Sequence, residues 1–287
     1  MKGKLGIIIS FIYSLREIYP VKLMCKVLDI NHSTYRKSIN HKASKRDIFT
    51  HKLDCAIRMI HLESKGIYGA PKIHNLLIKQ AEFAKTSLKL VQKRMSKMCI
   101  KSIVTKKFRP VCKSSKVEEK ENIMNQDFST TGPNQKFCTD ITYVYTKQDG
   151  WTYLAEVIDL YSRKIVGYAY SKTMTAEMAV EALKRAVAPL KDTTGIIIQT
   201  DLGTQYTSEL FEKFLLSHKM IHSYSHKHYP YDNSPIESFH AILKKEEVRP
   251  DNIYLNYDIA KTKIFEFIEG WYNNKRIHGS INYKTPN

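Results

Sequence analysis

The sequence predicts an α/β fold preceded by an all-α region, the α/β part running strand, strand, strand, helix, strand, helix, strand, helix. Three observations predict it. Apolar residues recur at helical spacing through the first hundred positions, whereas β-branched and aromatic runs begin near residue 137. Charge divides at the same place. Residues 1–116 hold 26 Lys+Arg against 6 Asp+Glu, a net +20, and the remainder holds 20 against 22, so the first part carries the whole formal excess of +18. Such segregation fits one module that grips a polyanion and another that does something else. At 287 residues, with 43% hydrophobic content, the chain is long enough for an ample core plus a smaller module, and a mostly disordered protein is excluded.

Taken in order, Lys2 and Lys4 precede an apolar run at 5–13 that imitates a signal peptide. No small-residue cleavage site follows, Arg16 and Glu17 interrupt it, and it is shorter than the ~20 apolar residues of a membrane span. It reads as a buried amphipathic helix, with no membrane partner. From Val21, VKLMCKVLDI gives a short helix, Asp29-Ile30-Asn31 a break, and Ser33 a cap for a second helix, together a helix-turn-helix pattern over 1–45. A second helical group occupies 46–105. His51 to Leu62 is periodic, Gly66 and Gly69 punctuate, residues 72–79 continue, and Thr86 or Ser87 opens LKLVQKRMSKM. Lys89, Lys93 and Arg94 crowd that last helix and are candidate DNA contacts; a merely solvated face is the plain alternative. Residues 106–127 read as a linker and 128–287 as the second domain.

In that domain FCTDITYVY at 137–145 is a strand, Asp149-Gly150 a turn, and 151–160 and 164–170 complete an antiparallel meander. Thr175 caps a helix over 176–190. A strand at 196–200 runs into Asp201, a helix at 208–218 and a strand at 221–224 follow, and the loop after His226 leads into a helix at 236–247. Five dispersed cysteines with no CxxC pair (Cys25, Cys55, Cys99, Cys112, Cys138) point to reduced thiols in a cytoplasmic protein, and His222, His226 and His228 lack zinc-ligand spacing.

Three acids stand out. Asp140 interrupts an apolar strand, a poor place for an unpaired charge. Asp201 lies where a strand ends, a common position for catalytic groups. Glu237 sits in the first turn of a helix whose Phe239, Ile242 and Leu243 form an apolar stripe, while Glu237, His240, Ala241 and Lys244 share the other face. Each has an ordinary reading, as a paired core acid, a turn residue or a helix-dipole partner. Phosphodiester transfer, however, suits two divalent cations about 3.5–4 Å apart, and holding them needs carboxylates converging from different elements. Lys244 and His240 are candidate DNA contacts beside them. Lys275, Arg276 and His278, after Trp271-Tyr272, are further candidates. Asp159 and Asp232 read as loop-shaping acids.

Seven stretches carry a resemblance: TDITYV at 139–144, EVIDLYSRKIVGY at 156–168, TDLGTQYTS at 200–208, YDNSPIESFHAILKKE at 231–246, WYNNKRIHGSINYKTP at 271–286, KGIYGAPKIHNLL at 65–77 and CKVLDINHSTYRK at 25–37. The chain resembles OrfB, the catalytic frame of the DDE transposases of bacterial insertion sequences made from two overlapping frames, OrfA and OrfB. The 35 residues between Asp201 and Glu237, and Lys244 seven residues on, agree with that family. The resemblance implies an RNase H-like core of the retroviral-integrase type, with Asp140, Asp201 and Glu237 as ligands of two Mg²⁺ or Mn²⁺ ions. It further implies nicking at element ends and joining through the freed 3′-OH, with DNA, OrfA or an OrfA fusion, and further copies of the chain as partners in a bacterial, nucleoid-associated setting. Gln199-Thr200 stands where many relatives carry His-Ser, His228 where glycine is usual, and the chain stops shortly after Thr285-Pro286. These departures leave a decayed or regulatory DNA-binding protein as the alternative; a simple RNase H-type nuclease would not need the basic helical part.

Overall fold

The computed structural model describes residues 2–40, 44–104, 121–226, 229–248 and 253–287. His228, Cys112 and most of the expected linker lie outside the described residues. The chain forms two compact units, Met1–Met59 and Ile60–Asn287.

In the first unit, α1 (Lys2–Ser14), α2 (Val21–Val27) and α3 (His32–Ile39) gather Ile9, Ile12, Met24, Cys25 and Tyr35 into a small core. The apolar run at 5–13 is thus half-embedded: Ile12 is fully buried, while Ile7 and Phe11 on the opposite face are exposed. Asp29 takes a left-handed turn (φ 49°) between α2 and α3, a conformation short Asp side chains tolerate. The cap of α3 is two residues earlier than expected. Asn31 accepts the Ser33 N–H at 3.0 Å, and Ser33 Oγ donates to the same oxygen instead of capping.

The second unit begins inside α4 (Lys45–Glu63). Lys65 and Gly66 turn the chain with positive φ, α5 (Ala70–Leu77) starts at Pro71, and α6 (Leu88–Lys97) is capped by Ser87. The expected linker ends early. Met124 is buried in the core, its N–H donates to Ser223 Oγ at 2.9 Å, and Tyr224 N–H donates to the Glu121 carbonyl. An apolar residue within an otherwise polar stretch gave that segment somewhere to pack.

The sheet contains β1 (Lys136–Thr146), β2 (Gly150–Asp159), β3 (Ile165–Ser171), β4 (Ile197–Thr200) and β5 (Ile221–Tyr224), ordered β3-β2-β1-β4-β5. β1, β2 and β3 form the expected antiparallel meander, and β4 and β5 extend it in parallel with β1. Gly150 supplies the positive φ of the β1–β2 turn. One face packs on α7 (Ala176–Val187) and α8 (Glu209–Ser217) through Phe137, Ala155, Val157, Leu183 and Phe211. Gly167 permits the close approach of α7, since a Cβ there would lie 2.2 Å from the Ala182 carbonyl oxygen. The other face packs on α9 (Ser234–Glu246), α10 (Tyr257–Phe265) and a π-helical turn at Glu266–Tyr272 through Leu154, Ile158, Phe239, Leu243 and Tyr272. Among the described residues no helix is long and apolar enough to cross a membrane.

Candidate metal centre

Pairing register brings the acids together. β1 and β4 run parallel with Cys138 opposite Gln199, so two residues further on Asp140 and Asp201 emerge side by side on the same face. α9 covers that side of β1, and Asn233 Nδ2 ties its start to the Thr139 carbonyl at 3.2 Å. Glu237, in the first turn of α9, thereby reaches Asp140 within β1. Atoms of Asp140, Glu237 and His240 lie within 4.8 Å of one another. Asp201 stands just outside that group, its Oδ1 held by the Gly203 N–H at 2.9 Å. Gly203 is required there, because a Cβ would come 2.9 Å from the same oxygen.

The electrostatics are unbalanced. Burial raises the Asp140 carboxyl to about 7 against the pull of His240, and the negative charges of Asp201 and Glu237 push the same way. Burial also raises Asp201, partly offset by the Gly203 N–H. Asp140 is largely shielded from solvent while Asp201 and Glu237 are exposed beside it, and His240 is the basic side chain within 4 Å of Asp140 and Glu237. A hard divalent cation with oxygen ligands fits this donor set, whereas a structural ion pair would leave it neutral.

His240 lies on the same face of α9 as Glu237, where the spacing placed it, but that part of the face is covered and does not reach solvent. It is 5% exposed, its Nε2 lies 3.1 Å from Glu156 Oε2, and burial lowers its basicity despite Asp140 and Glu237. Glu156 is fully buried in β2 directly across from Asp140, and burial holds its carboxyl well above the usual range. Sequence reasoning missed Glu156, although its signal equals that of Asp140: a carboxylate interrupting an apolar strand.

The other expected contacts divide. Lys244, Lys89, Lys93 and Lys275 are exposed, and Arg94 is half-buried. Arg276 and His278 are not available to DNA, being 7% and 6% exposed. Arg276 grips Glu246 at the end of α9, with Nε 2.8 Å from Oε2 and Nη2 2.7 Å from Oε1. His278 packs edge-on to Tyr272, and burial together with Arg276 and Lys72 lowers it to about 3. The reason for the correction is a partner 30 positions earlier that helix-end reasoning could not see. Asp159 and Asp232 are loop-shaping acids as expected: Asp159 accepts from Asn134 and Ser162, Asp232 from Asn122, Gln126 and His226.

Comparison with known proteins gives the family. Residues 130–230 and 218–286 match family models described as "Integrase core domain", and residues 50–108 match an "HTH-like domain". The transposase InsF of insertion sequence IS3A from Escherichia coli K12 is 34% identical over 279 residues, which covers 96% of each chain. The chain belongs to the IS3 family of transposases. Another relative, the transposase of IS904 from Lactococcus lactis subsp. lactis IL1403, is 33% identical over 249 residues, 86% of this chain and 97% of that protein. As a family member of the OrfB type, the chain is an enzyme of the transposase and integrase class, and its second part has the RNase H-like integrase core after a helical, HTH-like region. Among solved structures, the HTLV-2 integrase catalytic core domain in complex with magnesium is 22% identical with a TM-score of 0.42, covering 55% of this chain and 97% of that one. A simian T-cell lymphotropic virus intasome chain is 18% identical with a TM-score of 0.45, over 80% of this chain and 72% of that one.

Proposed function

We propose that this transposase nicks DNA at the ends of an insertion sequence and joins the freed ends to target DNA. The observation that supports it is that Asp140 from β1 and Glu237 from α9 come together, with Asp201 at the end of β4 near enough to raise the Asp140 carboxyl by its charge. These three carboxylates would hold two Mg²⁺ or Mn²⁺ ions. When bound, the ions lower the pKa of an attacking oxygen and stabilise the leaving one. The chain's residues fix the rest. Lys244, exposed two turns from Glu237 and roughly 10 Å along α9, would hold the DNA backbone beside the acids. In the first step a water oxygen bonds to phosphorus, the 3′-oxygen leaves with a proton, and the strand ends in a 3′-OH. In the second, that hydroxyl attacks a target phosphodiester and displaces the target's own 3′-oxygen. No step forms a protein–DNA bond.

Domains at 1–45, 46–105 and 128–287 would divide the work. The basic helical segments read the element ends, with Lys89, Lys93 and Arg94 on α6 among the phosphate contacts, and Lys275 adds another from the core. DNA, the OrfA product or an OrfA fusion, and further copies of this chain are the expected partners in a cytoplasmic, nucleoid-associated assembly. An end-joining assay with a labelled terminal-repeat duplex in Mg²⁺ tests the proposal. Joined product that disappears in Asp201→Ala supports it. A mobility shift with no joined product, or joining by Asp201→Ala, overturns it.

A further inference from the structure

Asp140 and Glu156 face each other across the β1–β2 pair, so both side chains leave the sheet on the face that α9 covers. His240 comes down between them. Its Nε2 is within hydrogen-bond distance of Glu156, and its Nδ1 is directed at the carboxylates, 3.8 Å from Asp140 Oδ2 and 4.0 Å from Glu237 Oε2. Neither of those separations is a hydrogen bond. His240 is only 5% exposed, so its ring is held between Glu156 on one side and the two carboxylates on the other, with Nδ1 the nitrogen turned towards Asp140 and Glu237.

Two ligand atoms that share an ion, each roughly 2.1–2.2 Å from it, stand roughly 3–4 Å apart. The separations around Nδ1 match that span closely. Behind the ring, Glu156 Oε1 is buried with no hydrogen-bond partner, so this acid is committed to His240 through its other oxygen. A metal-bound histidine commonly gives its second N–H to a carboxylate, which fixes tautomer and ring orientation. Glu156, His240 and the Asp140–Glu237 pair reproduce that chain of contacts in order.

We propose that His240 Nδ1 is a further protein ligand of the ion held by Asp140 and Glu237, and that Glu156 positions it by accepting the Nε2–H. This rests on the metal-centre reading above. The consequence is a preference: an imidazole ligand suits Mn²⁺ better than Mg²⁺, which favours oxygen ligands only.

The test uses the full-length protein with Mn²⁺ alone. Pulsed electron paramagnetic resonance of the bound ion should show hyperfine coupling to nitrogen, and labelling histidine with the heavier nitrogen isotope should change that signal. In His240→Gln the coupling should vanish and the Mn²⁺ dissociation constant rise. In Glu156→Gln the coupling should persist with affinity about 10- to 100-fold weaker, the usual effect of losing such a support. Mn²⁺ bound in an Asp140-dependent way without nitrogen coupling would overturn the assignment of His240 while leaving the carboxylate site standing. Coupling that survives in His240→Gln would overturn it as well. Absence of any Asp140-dependent Mn²⁺ binding would overturn both readings. The isotope experiment needs no variant, so a misfolded His240→Gln protein leaves the question answerable.

Discussion

The two ends of α9 carry the same kind of residue in opposite circumstances. At its start, Glu237 joins Asp140 and His240, where burial raises the Asp140 carboxyl and no Lys or Arg is bonded to either acid among the described residues. At its end, Glu246 is a glutamate too and more deeply buried, yet the guanidinium of Arg276 meets both of its oxygens and Trp271 Nε1 donates to one of them. Buried charge alone therefore does not mark a site. What distinguishes the two ends of this helix is whether an arginine of the same chain meets the carboxylate.

The largest expected effect falls at the start of α9. Asp140→Asn or Glu237→Gln should cut end joining by a factor on the order of 10³ or more, as several kcal/mol of transition-state stabilisation are lost, while DNA mobility shifts stay intact. Retained joining by either variant would break the contrast. The next effect is at the other end. Arg276→Ala strands Glu246 and should destabilise the protein by about 3–5 kcal/mol in urea unfolding, with per-molecule activity little changed. Replacing both partners with apolar residues should restore most of that loss.

Opposite pH signatures sharpen the comparison. The folded, metal-free protein holds a proton on Asp140 up to about pH 7, above the unfolded value of 3.8, so this group's contribution to stability falls as pH rises through that window. His278 behaves in reverse. Its folded value of about 3 lies below the unfolded 6.5, so stability is lost as pH falls from 6.5 towards 3. Metal-free denaturation across pH should lose the first slope in Asp140→Asn and the second in His278→Gln. The smallest effect is at the surface. Lys89→Ala and Lys93→Ala should leave stability unchanged and lower the salt dependence of DNA binding by about 0.9 in log–log slope for each contact removed.

Much of this was legible in the chain. The order of strands and helices along the chain, the cap at Thr175, the helix opening at Ser87 and the turn at Gly150 follow from local patterns that the structure reproduces. Where reading failed, the partner was remote. Nothing near Arg276 reveals Glu246, and nothing near Tyr68 reveals that its hydroxyl donates to the Lys275 carbonyl and accepts the Ile277 N–H, joining KGIYG to WYNNKRIH. His240 looked like a polar-face residue because helical spacing is blind to a carboxylate on β2. Met124 looked like linker for the same reason.

The sequence by itself determined the basic helical first part, the antiparallel meander and the element order of the core, and three carboxylates, one within a strand, one at a strand end and one in a first helical turn, because periodicity, turn chemistry and spacing are local properties. Only the tertiary structure decided which charges are answered. Register set Glu156 beside Asp140, the fold-back of the C-terminal segment gave Glu246 its arginine, and the first turn of α9 was left facing acids that the chain does not neutralise. Compensation of a buried charge depends on what arrives from elsewhere in the chain, and that is a fact of packing.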